Sequence, residues 1–146
     1  MFVLHPQLQN DCLTLGNFPL CRLLLMLDAN YPWFILVPER SEIYEIFQLR
    51  REDQIQLLDE SSALSVTLSG LFPGSKLNIA MLGNIVSQLH IHHVVRYNHD
   101  PAWPGPIWGK LPRVEYGVAE LQKLTGMVLE ALPGSSGFIP AESFSN

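Results

Sequence analysis

Three short apolar runs open the chain: CLTLG (12–16), PLCRLLLML (19–27) and WFILVP (33–38), separated by the turn signals GNF and DANYP. Runs of this length with such punctuation predict strands of an antiparallel meander. Pro38 ends the third run, and the acidic stretch Glu39–Arg40–Ser41–Glu42 suits a helix N-terminus, so a helical region is expected to open there. Over 51–71, Leu57, Leu64, Leu68 and Leu71 recur at steps of seven, four and three, which is one face of a 3.6-residue period. PGS (73–75) stops this helix, and KLNIAML (76–82) returns to strand. Gly83–Asn84 interrupts, and 86–97 is expected to form a further strand. A rigid segment, DPAWPGPIWGKLP (100–112), follows with four prolines and two tryptophans. Val114, Val118, Leu121, Thr125, Val128 and Leu132 then predict a second helix over 113–132. Residues 133–146 are rich in Ser, Pro and Gly and read as a mobile tail. The pattern predicts an α+β fold: an antiparallel sheet of about five strands covered by two main helices.

Composition narrows the partners more than the fold. At 146 residues the chain suffices for one domain with a proper core, and 47% apolar against 16% charged residues is ordinary for a globular protein. The formal charge is −5, with no cluster of Lys or Arg. That argues against nucleic acid as the main partner, because neutralising a phosphate backbone requires a basic surface. A small phosphorylated ligand stays compatible. Cys12 and Cys21 lie in apolar runs and read as inert thiols in a reducing compartment. The N-terminus lacks a basic signal-peptide region, and the longest aliphatic run, 23–27, falls far short of the ~20 residues of a membrane span. A cytoplasmic protein without a membrane partner is expected.

One stretch does not fit a plain core strand. Residues 88–95 read QLHIHHVV. Strand alternation puts Gln88, His90 and His92 on one face and Leu89, Ile91, His93 and Val95 on the other. An amide and two imidazoles on a rigid platform suit a site. Three readings compete. These are half-exposed histidines with satisfied hydrogen bonds; or they share a metal ion with the nearby His99–Asp100; or one imidazole attacks phosphorus while its neighbours hold the oxygens. No further set of Cys, His or carboxylate at ligand spacing supports the metal. His93, on the opposite face, reads as a helix-facing or interface imidazole.

The same stretch resembles the signature of the histidine-triad (HIT) family, His-φ-His-φ-His-φ-φ with φ apolar. Gln88 falls on the first histidine, His90 on the second and His92 on the third. Asn78 and the turn Gly83–Asn84 resemble the Asn and Gly-Gln that precede the triad in nucleotide-binding members. AWPGP (102–106) is similar to the Trp-Pro stretch that follows it, and WFILVP resembles an earlier core strand that comes after a ribose-contacting loop, here Asp28–Ala29–Asn30. Trp33 stands near where some members carry an extra histidine that orients the nucleophile. The likeness covers roughly residues 10 to 110.

What the resemblance implies is nucleotide chemistry in a HIT-like domain over 1–112, followed by the helix 113–132 and the tail. His90 would attack the α-phosphate of a nucleotide derivative and form a nucleotidyl-histidine that water hydrolyses. His92 would bond a non-bridging oxygen, and Gln88 would supply positioning without a titratable proton. Asn84 would donate to the phosphate through its amide, Gly83 and Asn78 would belong to the nucleotide-binding set, and Asp28 would accept from the ribose hydroxyls. Ile85 stands where many members have Ser or Thr. The resemblance implies no metal and no other cofactor, and a homodimer joined through the helix 51–71 or an edge strand. A nucleotide-binding protein with little turnover is the alternative. Trp103 and Trp108 read as anchors of a subunit contact, ahead of a role in capping the pocket.

Overall fold

The computed structural model describes residues 1–142. Its sheet has six antiparallel strands, and its elements run α1 (Pro6–Asp11), β1 (Cys12–Asn17), β2 (Cys21–Met26), β3 (Trp33–Pro38), α2 (Arg51–Leu71), β4 (Lys76–Ala80), β5 (Ile91–Arg96), α3 (Val118–Ala131) and β6 (Ile139–Pro140). The spatial order is β4-β5-β3-β2-β1-β6. The expected α+β architecture is present, with one strand more than the pattern predicts. That strand is the two-residue β6, too short to carry a period, paired with Gly16 and Asn17. The approach is possible because residue 16 is glycine: a Cβ there would collide with the Ile139 carbonyl and the Phe138 ring. Residues 143–146, the end of the tail expected to be mobile, lie outside the described residues.

The sheet separates two layers. On one face Leu15, Leu23, Leu25, Phe34, Leu36, Ile91 and Val95 pack against Leu57, Leu64 and Leu68 of α2 and Leu124 and Val128 of α3. Of the four leucines that set the helical period over 51–71, Leu57, Leu64 and Leu68 are buried, each contributing about 1.5–3 kcal/mol, and Leu71 is half-buried at the helix end. Glu60, on the same helix and nearly fully buried, accepts hydrogen bonds from the amides of Leu20 (2.9 Å) and Cys21 (2.8 Å), fastening α2 to the start of β2. The other face carries no long helix. Leu24, Ile35, Val37 and Val86 are covered there by Leu4 and Leu8 of the N-terminal segment. Val94 and Tyr31 are covered by Ala102 and Ile107 of the Pro-Trp segment.

Several element boundaries differ from the pattern. Residues 39–42 do not open a helix. Glu39 accepts from Asn17 (2.7 Å) and Arg22 (2.9 Å), while Arg40 forks onto Asp53 (2.8 and 3.0 Å), and these bonds hold the chain in a loop. A single 3₁₀ turn at Ile46–Gln48 precedes α2. Strand β5 begins at Ile91 rather than at 86, because the Leu89 amide leaves the ladder to donate to the Ile43 carbonyl (2.9 Å). The second helix starts at Val118 rather than 113. Residue 114 is held by the β2–β3 loop: its carbonyl accepts from the Ala29 amide (2.7 Å) and its amide donates to Asp28 (3.3 Å). Val114 and Val118 are accordingly exposed, and the buried stripe begins only at Leu124, well inside the helix.

Candidate active site

The polar row of QLHIHHVV lies on the sheet face opposite α2, between the N-terminal segment and the Pro-Trp segment. His90 sits one residue before β5 and His92 within it. Both are buried, and their ring centroids lie 4.8 Å apart in an edge-to-face arrangement. The His90 Nδ1–H donates to the Gln88 carbonyl at 2.6 Å. A carbonyl only accepts, so the proton of the neutral ring is on Nδ1 and the Nε2 lone pair is free. Burial holds His90 below the ordinary imidazole range, against the pull of the Gln88 carbonyl and with help from His5. On His92, Nδ1 accepts from the Trp33 indole N–H at 2.9 Å. Burial, with His90 and His93 close by, depresses its pKa from 6.5 to about 3. Both rings are therefore neutral at physiological pH.

Trp108 stacks edge-on against both Trp33 (6.2 Å between centroids) and His92 (5.2 Å). Its ring lies over His92, the placement expected of a pocket cap. Trp103 lies instead over the guanidinium of Arg96 (5.6 Å) and is partly exposed.

The Gln88 side chain makes two bonds that no local pattern announces. Its Nε2 donates to the Val3 carbonyl (2.8 Å), and its Oε1 accepts from the His5 amide (2.9 Å). A glutamine can do both at once, as a backbone unit would; it straps the first residues beside the site. The His5 ring caps α1 by accepting from the Gln7 amide (3.1 Å), with Pro6 at the first helical position. His-Pro ahead of a leucine-containing turn is the one local signal of this helix start. Gln88, His90 and Gly83 line one cleft of about 90 Å³, together with Tyr44, Glu45, Met81 and Leu82. Gly83 has a left-handed backbone (φ 70°), and Asn84 beside it is exposed at the tip of the loop.

His92, Asn84, Asn78 and Asp28 do not line that cleft. Asn78 pairs in register with Val94, and its Oδ1 accepts from Arg96 (2.8 Å). Asp28 lies in the β2–β3 loop, where Oδ1 accepts from the Asn30 amide (3.0 Å) and side chain (2.8 Å) as well as from Val114. Among the described residues, no three His, Cys, Asp or Glu side chains gather as a metal-binding group. Both cysteines are free, and burial raises the pKa of Cys12 to about 12 and that of Cys21 further still.

His93 points the other way, onto α2. It is fully buried, its Nδ1–H donates to the Ile91 carbonyl (3.1 Å), and its Nε2 accepts from Ser61 (2.7 Å). Burial, against the raising effect of the Ile91 carbonyl, lowers its pKa from 6.5 to about 4. The folded protein thus binds fewer protons than the unfolded chain between these values, so the stability present above pH 6.5 is lost as the pH falls through 4. For His93 alone the loss is roughly 3 kcal/mol. Urea titrations at pH 7 and pH 4 check it: in His93→Leu the difference in stability between the two pH values shrinks by about that amount, and an unchanged difference counts against it.

A six-stranded sheet with helices on one face and a capped pair of neutral imidazoles on the other defines a histidine-centred α+β domain. Comparison with known proteins places it. The HIT domain family model matches residues 7–99, and the chain belongs to this family. Solved structures of similar chains include a histidine triad protein from Marinobacter aquaeolei, 51% identical with a TM-score of 0.87, covering 90% of this chain and 96% of its own. Histidine triad proteins from Bradyrhizobium japonicum (39% identity, TM-score 0.88) and Sinorhizobium meliloti (38%, 0.87) each cover 90% of this chain and 98% of theirs. No curated protein matches the sequence significantly. Proteins of the family are generally nucleotide hydrolases or transferases. No helix among the described residues is long and apolar enough to cross a membrane.

Proposed function

We propose that this chain is a hydrolase acting at the α-phosphate of a nucleotide derivative, such as a nucleoside phosphoramidate, an adenylate or a dinucleoside polyphosphate. The observation that carries the reading is the His90 ring, buried, neutral and with its proton committed to the Gln88 carbonyl, so that Nε2 is free to attack. As the Nε2–P bond forms, the bond from phosphorus to the leaving group breaks. Water then displaces the nucleotide from His90 and restores the lone pair. His92 bonds a non-bridging oxygen, Gly83 and Asn84 serve the phosphate from the loop ahead of β5, and Asn78 and Asp28 act on the nucleoside side. Gln88 positions, through its carbonyl and through the segment its amide straps. Neither a metal nor another cofactor enters the scheme.

A second reading is a nucleotide-binding protein of low turnover. It draws on the same amide: both ends of the Gln88 side chain are engaged by backbone, and an amide cannot carry the proton that a histidine at this place in the family signature can. Incubation with AMP and GMP derivatives separates the two, since an enzyme releases nucleotide continuously whereas the binding protein retains the intact derivative.

The active form is proposed to be a homodimer in the cytoplasm, in line with the two free thiols. Strand β4 closes one side of the sheet with its outer edge unpaired, and Ile79, Met81, Leu82 and Ile85 are exposed beside it. Sedimentation at micromolar concentration is expected to give twice the 16.5 kDa chain mass. A single monomeric species would refute the assembly.

A further inference from the structure

We propose that Trp33 is a positioning residue that holds His92 in the tautomer carrying its proton on Nε2. A neutral imidazole has one donor and one acceptor nitrogen, whereas an indole N–H can only donate. With Trp33 Nε1 2.9 Å from His92 Nδ1, the lone pair of His92 must lie on Nδ1 and its proton on Nε2. One residue pair away the logic is reversed. The Gln88 carbonyl puts the His90 proton on Nδ1. Two rings 4.8 Å apart are thus set in opposite tautomers by partners of opposite character, one exposing a lone pair and the other an N–H.

The indole is itself held in place. Trp108 meets its ring at 90° and the His92 ring lies 5.6 Å from it, so Trp33 cannot swing away without losing both contacts. Trp33 pairs with Val94 in the ladder and His92 with Ile35, so the donor and acceptor come from adjacent strands in fixed register. Charging His92 would turn Nδ1 into a second donor facing the indole N–H, and the contact therefore opposes protonation as well as the wrong tautomer.

The consequence rests on the functional reading above. A neutral His92 that always presents Nε2–H gives a phosphate oxygen a donor without waiting for a proton, while its neighbour attacks. A phenylalanine at 33 keeps an aromatic ring against Trp108 but deletes the donor, leaving His92 free to exchange tautomers. Where such a partner orients a metal-bound histidine from behind, its loss costs about 10–100-fold. A decrease of that order in kcat, with KM little changed, is expected for Trp33→Phe. In a His92→Ala background the same change should add nothing, since Trp33 acts through His92.

The decisive readout is independent of turnover. Nitrogen-15 NMR of the histidine side chains, with His92→Asn used to assign the ring, should show wild-type His92 with bare Nδ1 and protonated Nε2. In Trp33→Phe the two nitrogens should move toward averaged values, and the ring should protonate at higher pH. Protonated Nδ1 in the wild type, unchanged resonances in Trp33→Phe, or a further loss of kcat in the double variant overturns the proposal. Wild-type protein that shows the stated tautomer but turns over no nucleotide derivative would instead overturn the hydrolase reading, and the tautomer assignment would stand.

Discussion

His90→Ala is expected to lower turnover on the order of 10⁴-fold or more, the scale on which loss of a covalent nucleophile is felt. His92→Ala removes one oxygen-stabilising donor and should cost about 10²–10³-fold, leaving a slow but measurable reaction. The asymmetry follows from geometry. Only His90 has its ring proton on a backbone carbonyl and its second nitrogen free, whereas the Nδ1 of His92 is occupied by Trp33. The fold should survive both changes. Neither side chain belongs to the layer that Leu89, Ile91 and Val95 form with the helices, and relieving two crowded, desolvated imidazoles can raise stability. Steady-state rates with a phosphoramidate, together with thermal melts, check both halves. Wild-type turnover in His90→Ala, or a loss confined to His93→Ala, would place the nucleophile on the other face of the strand.

The largest effect on stability is expected at Asp100. Arg96, the last residue of β5, is almost fully buried, and its charge is matched by a two-point contact with Asp100 at 2.7 and 3.1 Å. Its remaining arm donates to Asn78, and the rings of Tyr31 and Trp103 flank the guanidinium at 5.8 and 5.6 Å. Burial alone would raise the pKa of Asp100, yet the Arg96 guanidinium and the amides of Ala102 and Tyr97 hold its carboxyl below the usual range. Asp100→Ala leaves a buried cation without its partner, which costs roughly 3–5 kcal/mol. Asp100→Asn, which still accepts hydrogen bonds, should cost less. Urea denaturation measures both, and a change below about 1 kcal/mol for alanine would mean that water reaches Arg96 in the folded state. Trp103 belongs to the same segment as Trp108, so loosening this cluster should also disturb the cap over His92.

Patterns that a single element imposes on its own residues were legible without coordinates. The strand WFILVP and the helix 51–71 have the bounds the pattern predicts, because the strand is a continuous apolar run buried on both faces and the helix is buried along one face. The alternation of QLHIHHVV also separates the two layers as read, with His93 on α2 and the other two histidines opposite. What the pattern could not show are hydrogen bonds between distant parts of the chain. Leu89 leaves the ladder for Ile43, and residue 114 is held by the Asp28 loop, so one strand and one helix begin later than their periods suggest. The strap from Gln88 to Val3 and His5 spans more than eighty residues and has no periodic signature. The Trp33–His92 bond is hidden for the same reason: the two residues are 59 positions apart and meet only because β3 and β5 are neighbours.

Hydrolysis by this route requires a covalent bond to one nitrogen, Nε2 of His90. Protein mixed with a nucleoside phosphoramidate, quenched within milliseconds and examined by intact-mass spectrometry, should gain the mass of one nucleoside monophosphate, and peptide mapping should place it on His90. His92→Ala, slowed in both steps, should carry the same adduct on the same residue, and His90→Ala should carry none. Wild-type protein that turns over substrate without ever gaining this mass, or an adduct mapped to His92, His93 or His5, would contradict the assignment of His90 as the nucleophile.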